Sequence, residues 1–303
     1  MNIFVSGSMA YDRIMDFPGH FADHILPEKI HVLNVSFTVN SLVEKFGGTA
    51  GNIAYALSLL GEKPTILATM GRDYQRYFEW LRENGISCKN IAIIEDELTA
   101  GAYITTDKAD NQITGFNAGA MKCPSGFSFD GVDPDESIVI VGPGNLDDMK
   151  AYSRACREWG IDYIFDPGQS LPMWTGDELY DCIDGSIILI SNDYELDLIT
   201  KCTCRDRDEL LEKTGAIITT LGEAGSRITT LDGDVLIPAV KPRKVLDPTG
   251  AGDAYRAGLI KGLIGGCDIV RSARMGSVCS SFAVETYGTQ EYRFSLEEFE
   301  ARL

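Results

Sequence analysis

What most constrains this chain is an alternation that runs along most of its length. Short apolar runs of β-type composition give way to stretches whose apolar residues recur at helical spacing: "NIFVSG" then "AGNIAYALSLLG", "TILATMG" then "DYQRYFEWLRENG", "SIVIVG" then "LDDMKAYSRACREWG", with "DYIFD" and "SIILIS" continuing the series. A helix between successive strands rules out tight hairpins. The pattern therefore predicts βαβ units feeding an α/β fold, with a mostly parallel central sheet flanked by helices. Ligands of such sheets sit beyond the carboxyl ends of the strands. The residues expected there are Asp166 after "DYIF", Asn192 after "SIILIS" and Gly222 after "AIITTL".

Two segments break the rhythm, residues 11–40 and 98–121. Both lack a long helical pattern and contain strand-like pieces, "HVLNVSFTV", "TAGAYITTD" and "NQITGF". They are expected to form one small β-sheet lid on a core made of residues 1–10, 41–97 and 122–303. No repeat, low-complexity stretch or Gly/Ser/Pro linker divides the chain.

A chain of 303 residues with 44% hydrophobic content can bury a substantial core. Its formal net charge of -18 repels nucleic acid and anionic membranes, so the expected partners are small molecules. No apolar run approaches the ~20 residues that cross a bilayer, and "MNIFVSGSMAYDR" does not read as a signal peptide, which makes the expected location cytoplasmic. The eight cysteines show no C-x-x-C framework and are expected as thiols. His20, His24 and His31 are the only histidines; "HFADH" has a zinc-compatible spacing if helical, but no further ligand cluster supports a metal there. Histidine catalysis elsewhere is excluded by count.

Five short stretches carry chemistry. "FGGTAGN" sets Gly47, Gly48 and Gly51 before a helix, where backbone amides become approachable and Asn52 can donate to and accept from hydroxyls; a plain helix start reads the same way. Asp12, after the first strand, has the two acceptor oxygens that suit a vicinal diol, or is an ordinary surface acid. In "SNDYEL", Asn192 and Glu195 are either oxygen ligands for hydrated magnesium or the two halves of a capping box. "TTLGEAGSRITT" reads as strand, turn and strand, with Thr220, Gly222 and Gly225 able to shape a phosphate pocket. The fifth, "DPTGAGDAY", puts Gly250, Ala251 and Gly252 at a helix start that favours anions, yet follows them with Asp253 where a phosphate loop would carry lysine.

Taken together, "GSMAYD", "GGTAGN", "NDYE", "TLGEAGS" and "DPTGAGD", in that order, resemble the phosphofructokinase-B, or ribokinase-like, family of sugar and nucleoside kinases across nearly the whole chain. The resemblance implies ATP-dependent phosphorylation of a hydroxymethyl group. It assigns Asp253 as base; Gly250, Ala251 and Gly252 as anion hole; and Asp12, Gly48 and Asn52 as sugar contacts. Asn192 and Glu195 fall to magnesium and phosphate, Glu195 through water; Thr220, Gly222 and Gly225 fall to ATP, and Asp247 to a monovalent cation such as K+. "ILPEKIHVLNVSF", "FNAGAM" and "ETYGTQ" look most like bacterial and archaeal adenosine or nucleoside kinases, with Phe37 and Phe116 available to stack on a base or to pack the lid. Adenosine is the first expected acceptor. A ribose or fructose kinase is the alternative enzyme, and a nucleotide-binding regulator without turnover the alternative of another class. Monomer and lid-mediated homodimer both stay open.

Overall fold

The alternation folds as expected. In the computed structural model, which describes residues 1–25, 31–32, 34–109 and 111–303, strand β1 (Asn2–Ser6) lies inside a nine-stranded sheet. To one side of it run β4 (Thr65–Gly71) and β5 (Ile91–Ile94); to the other run β8 (Ser137–Val141), β9 (Asp162–Phe165), β10 (Ile188–Asn192) and β11 (Ile217–Thr220), all parallel. An antiparallel pair, β12 (Ser226–Thr230) and β13 (Gly233–Ile237), closes the far edge.

Strands buried on both sides alternate between two cores. Ile138, Ile140, Ile164, Ile188, Ile190 and Ile218 face α1 (Thr49–Leu59), α2 (Gln75–Glu83), α7 (Ala251–Ile264), α8 (Ile269–Ala283) and α9 (Leu296–Arg302). Val139, Val141, Tyr163, Phe165, Leu189 and Ile217 face α3 (Leu146–Trp159), α4 (Gly176–Ile183), α5 (Asp193–Thr203) and α6 (Arg207–Leu211). Helices α7 and α8 meet through glycine: a Cβ on Gly258 would lie 2.4 Å from the Met275 carbonyl oxygen. That close contact fixes the helix whose first turn carries Asp253.

The lid is a separate four-stranded sheet, ordered β3 (Ser41–Gly47), β2 (Ala10–Asp16), β6 (Ala100–Thr106) and β7 (Gln112–Asn117). Two features differ from the sequence reading. Residues 34–39, inside the expected strand "HVLNVSFTV", are irregular, and the strand is "SLVEKFG", Ser41–Gly47, which moves from the core to the lid. Partner availability decides this: β3 pairs with β2 along its whole length, from Ala10 opposite Gly47 to Asp16 opposite Ser41. The irregular segment instead drops Phe37 among Phe17, Phe21 and His24, at ring separations of 4.8, 5.2 and 5.9 Å. Residues 26–30, 33 and 110, which belong to the two expected lid segments, lie outside the described residues.

Candidate active site

Two adjoining cavities open at the carboxyl end of the parallel sheet. The first, about 440 Å³, is polar: Asp166 follows β9, Asn192 ends β10, Thr220 ends β11, and Glu195, Asp253 and Arg256 complete it. The second, about 330 Å³, is walled largely by apolar groups such as Val240, Pro242, Val245, Tyr255 and Val284. Thr220, Gly222 and Gly252 line both. One elongated ligand with an apolar end and a charged end would thread them.

At the junction, α7 begins behind Gly250, whose φ of 79° is left-handed and favours glycine. The amide of Ala251 is taken by the Pro248 carbonyl at 3.2 Å, so an anion at this helix start would look to the amides of Gly252 and Asp253 farther round the first turn. Asp253 Oδ2 accepts a 2.8 Å hydrogen bond from Asn52 Nδ2 of α1. Burial pushes the Asp253 carboxyl up to about 6; the Arg256 charge and the Asn52 bond hold it from rising further.

Sequence reasoning passed over Arg256, although it lies three residues beyond Asp253 on one helix and so shares its face. Arg256 is 7% exposed; its Nε donates to Asp166 Oδ2 at 2.5 Å and its guanidinium to the Gly252 carbonyl at 2.9 Å. Asp166 is 1% exposed, and its second oxygen, Oδ1, is buried without a partner among the described residues. Asn192 and Glu195 realise the capping-box reading: Glu195 N–H donates to Asn192 Oδ1 at 2.7 Å, and Asn192 N–H to Glu195 Oε2 at 2.8 Å. Both still line the polar cavity. Burial raises the Glu195 carboxyl, opposed by the Asn192 amide.

Gly222, with φ 58° and open space about it, lines both cavities. Gly225 lines the apolar one and also has a structural task, since a Cβ there would lie 2.0 Å from the Ile237 carbonyl oxygen.

On the lid side, Asp12 stands in β2 with its carboxylate against Gly47, where a Cβ would approach Oδ2 to 2.5 Å. Burial, and then the neighbouring Asp247 charge, raise its carboxyl. Asp12 pairs across the sheet with Ala102, and Ala102 with Phe116, so the three share one face. Phe116 is 57% exposed and free to stack, whereas Phe37 is spent on lid packing. Gly48, at φ 91°, caps α1 and turns Asn52 toward Asp253; both amide atoms of Asn52 are engaged within the protein, the oxygen by Gln290 at 2.9 Å.

Behind the Gly250 turn, Asp247 accepts from the amides of Thr249 and Gly288, each at 2.9 Å. Burial works against its charge, but these bonds and the Lys45 cation outweigh it and hold the carboxyl below its usual range. Lys45 Nζ, from lid strand β3, donates to the Tyr287 carbonyl at 2.8 Å.

Known proteins resemble this chain in sequence and in fold. The profile of the pfkB family carbohydrate kinases matches residues 6–294. The nucleoside kinase of Methanocaldococcus jannaschii is 34% identical over 277 residues, covering 90% of each chain. The structure of Burkholderia thailandensis nucleoside kinase in complex with inosine superposes with a TM-score of 0.87 at 38% identity, over 99% of this chain and 96% of that one. A ribokinase of Lactococcus lactis is 26% identical over 267 residues, covering 85% of each chain.

Proposed function

Because the chain belongs to the pfkB family of carbohydrate kinases, we propose that it transfers the γ-phosphoryl group of ATP to the 5'-hydroxymethyl of a ribonucleoside, with a purine nucleoside, adenosine first, as acceptor. The observation that carries this reading is the position of Asp253. It lines the polar cavity from the first turn of α7 and feels the charge of Asp12, whose lid face also bears Phe116. Likeness to nucleoside kinases over almost the full chain favours the nucleoside over the free sugar, as does an exposed aromatic about two strand spacings, ~10 Å, from Asp12.

The chemistry follows from the groups present. Asp12 accepts from two ribose hydroxyls and so aims the 5'-hydroxyl at Asp253. Asp253, ionised above pH of about 6, takes the hydroxyl proton as the oxygen attacks the γ-phosphorus and the bond from that phosphorus to the β,γ-bridging oxygen breaks, with ADP as the leaving group. Gly252, Asp253 and Arg256 all line the polar cavity, where the two amides and the guanidinium would offset charge spreading over the transferring group. Arg256 supplies the fixed positive charge that "GAGD" lacks in sequence. ATP would thread its adenosine into the apolar cavity beside Val240, Val245 and Val284 and its phosphates past Thr220 and Gly222.

Asp166, whose Oδ1 has no partner among the described residues, lines the same cavity as Asn192 and Glu195, and together they offer hard oxygens that would suit magnesium. Held there through water by Glu195, magnesium would offset phosphate charge. A monovalent cation fits less well at Asp247, where both oxygens are bonded to amides and Lys45 already brings a cation to the neighbouring carbonyl.

An ADP-release assay across adenosine, inosine, guanosine, cytidine, ribose and fructose tests the reading. Turnover with purine nucleosides at micromolar to millimolar KM supports it. Turnover with free sugars alone would replace the proposal by a sugar kinase, and tight ATP binding with no turnover on any acceptor would replace it by a regulator.

A further inference from the structure

We propose that Gln290 and Trp80 are positioning residues for Asp253, acting through Asn52 along a one-way chain of hydrogen bonds. The inference rests on the reading of Asp253 as base. Trp80 Nε1 donates to Gln290 Oε1 at 2.9 Å; Gln290 Nε2 donates to Asn52 Oδ1 at 2.9 Å; Asn52 Nδ2 donates to Asp253 Oδ2 at 2.8 Å. A side branch joins at Gln290, whose Nε2 also donates to the Tyr77 hydroxyl at 2.6 Å, while that hydroxyl donates to the Gly47 carbonyl at 2.8 Å.

The polarity of this chain is forced from its ends. An indole N–H can only donate and a backbone carbonyl can only accept, whereas each carboxamide in between has two orientations of nearly equal shape. With Trp80 as donor, Gln290 must turn its oxygen toward the indole and its NH2 toward Asn52. Asn52 must then present its oxygen to Gln290 and its NH2 to the carboxylate. Gly47 fixes the Tyr77 hydroxyl in the same sense, leaving it an acceptor for Gln290. A reversed Asn52 would set its oxygen against the Asp253 carboxylate.

Burial gives the arrangement its force. Gln290 is 2% and Asn52 5% exposed, so water does not compete for either amide. The chain joins α1, α2 and the segment after α8 at one carboxylate. Other groups reach that carboxylate as well: Arg256 on its own helix, Asp166 after β9, Asp12 on the lid, Tyr77 on α2 and Tyr292 in the C-terminal segment. Among them the Asn52 bond is the one whose direction a distant residue sets. It holds Oδ2 and leaves Oδ1 as the proton acceptor.

The test uses two substitutions that remove the chain while keeping bulk. Trp80→Phe deletes the N–H but keeps a ring against Phe46 and Tyr55; Gln290→Met keeps length without amide atoms. Releasing the Asn52 amide from its fixed orientation weakens the bond it donates to the ionised form and raises the pKa of the base, so the acid limb of the kcat/KM profile with adenosine should move up by about half to one pH unit. At pH 7, kcat should fall by about three- to thirtyfold, with the KM for ATP unchanged. Introduced into Asp253→Asn, Gln290→Met should have no further effect on turnover. Acid limb and kcat within about twofold of wild type in folded Gln290→Met, while Asp253→Asn is crippled, would overturn the relay alone. Full turnover of Asp253→Asn would overturn the base assignment and the relay with it.

Discussion

The amide of Asn52 on α1 donates across 2.8 Å to the carboxylate of Asp253 on the first turn of α7, 201 residues later in the chain. That bond favours the ionised form of a carboxyl that burial pushes up to about 6. A general base with such a value is deprotonated at neutral pH yet not so weak as to be useless.

Replacing Asp253 with asparagine therefore removes the proton acceptor while keeping size. The kcat should fall by ~10² to 10⁴, with little change in binding of either substrate. A helix cap would be nearly indifferent to the same exchange, so kcat within threefold of wild type contradicts the assignment. The wild-type kcat/KM profile should lose activity below pH of about 6.

The same residue should reduce stability. Its carboxyl titrates higher in the folded state than in an unfolded chain, so between about pH 4 and 6 the folded state binds more protons and stability falls as pH rises. Asp253→Asn should then be more stable than wild type at pH 7.5, by about 1 to 3 kcal/mol. The gain should vanish near pH 4. Thermal melts of both proteins at the two pH values check this; a less stable variant at pH 7.5 contradicts it.

Asp12→Ala should raise the acceptor KM by tens- to hundreds-fold, about 2 to 4 kcal/mol, and leave the KM for ATP alone. Gly47→Ala should act in the same direction without touching the carboxylate chemically, because its methyl would press on Asp12 Oδ2. Steady-state kinetics with each substrate varied decide; an unchanged acceptor KM in Asp12→Ala removes it from the site.

The two lid phenylalanines should separate cleanly. Phe116→Ala should weaken nucleosides by about 1 to 2 kcal/mol in kcat/KM while sparing any residual activity on ribose. Phe37→Ala should instead lower the melting temperature, since its ring packs on Phe17 and Phe21. Equal losses on nucleoside and ribose in Phe116→Ala would exclude base stacking.

Arg256→Met strands Asp166 without a countercharge and should cost about 3 to 5 kcal/mol of stability as well as turnover. Adding Asp166→Asn should restore much of the stability but not the activity. Chemical denaturation and kcat of the single and double variants measure the two effects. Recovery of turnover in the double variant would make the pair structural only.

The chain's sequence by itself determined whatever depends on neighbours a few residues apart. The alternation of strand and helix, the glycine turn at Gly250, the helix face shared by Asp253 and Arg256, and the capping partnership of Asn192 with Glu195 all follow from spacing along the backbone. Only the tertiary structure decided which separate pieces meet. Asp166 reaches Arg256 across 90 residues, and Gln290 reaches Asn52 across 238. The lid makes the same point. "HVLNVSFTV" has the composition of a strand, yet "SLVEKFG" became one, because a strand exists only where a partner offers unmet backbone donors and acceptors, and β2 offered them to Ser41–Gly47. Spacing is carried by covalent geometry; pairing is carried by contacts that no local stretch of sequence contains.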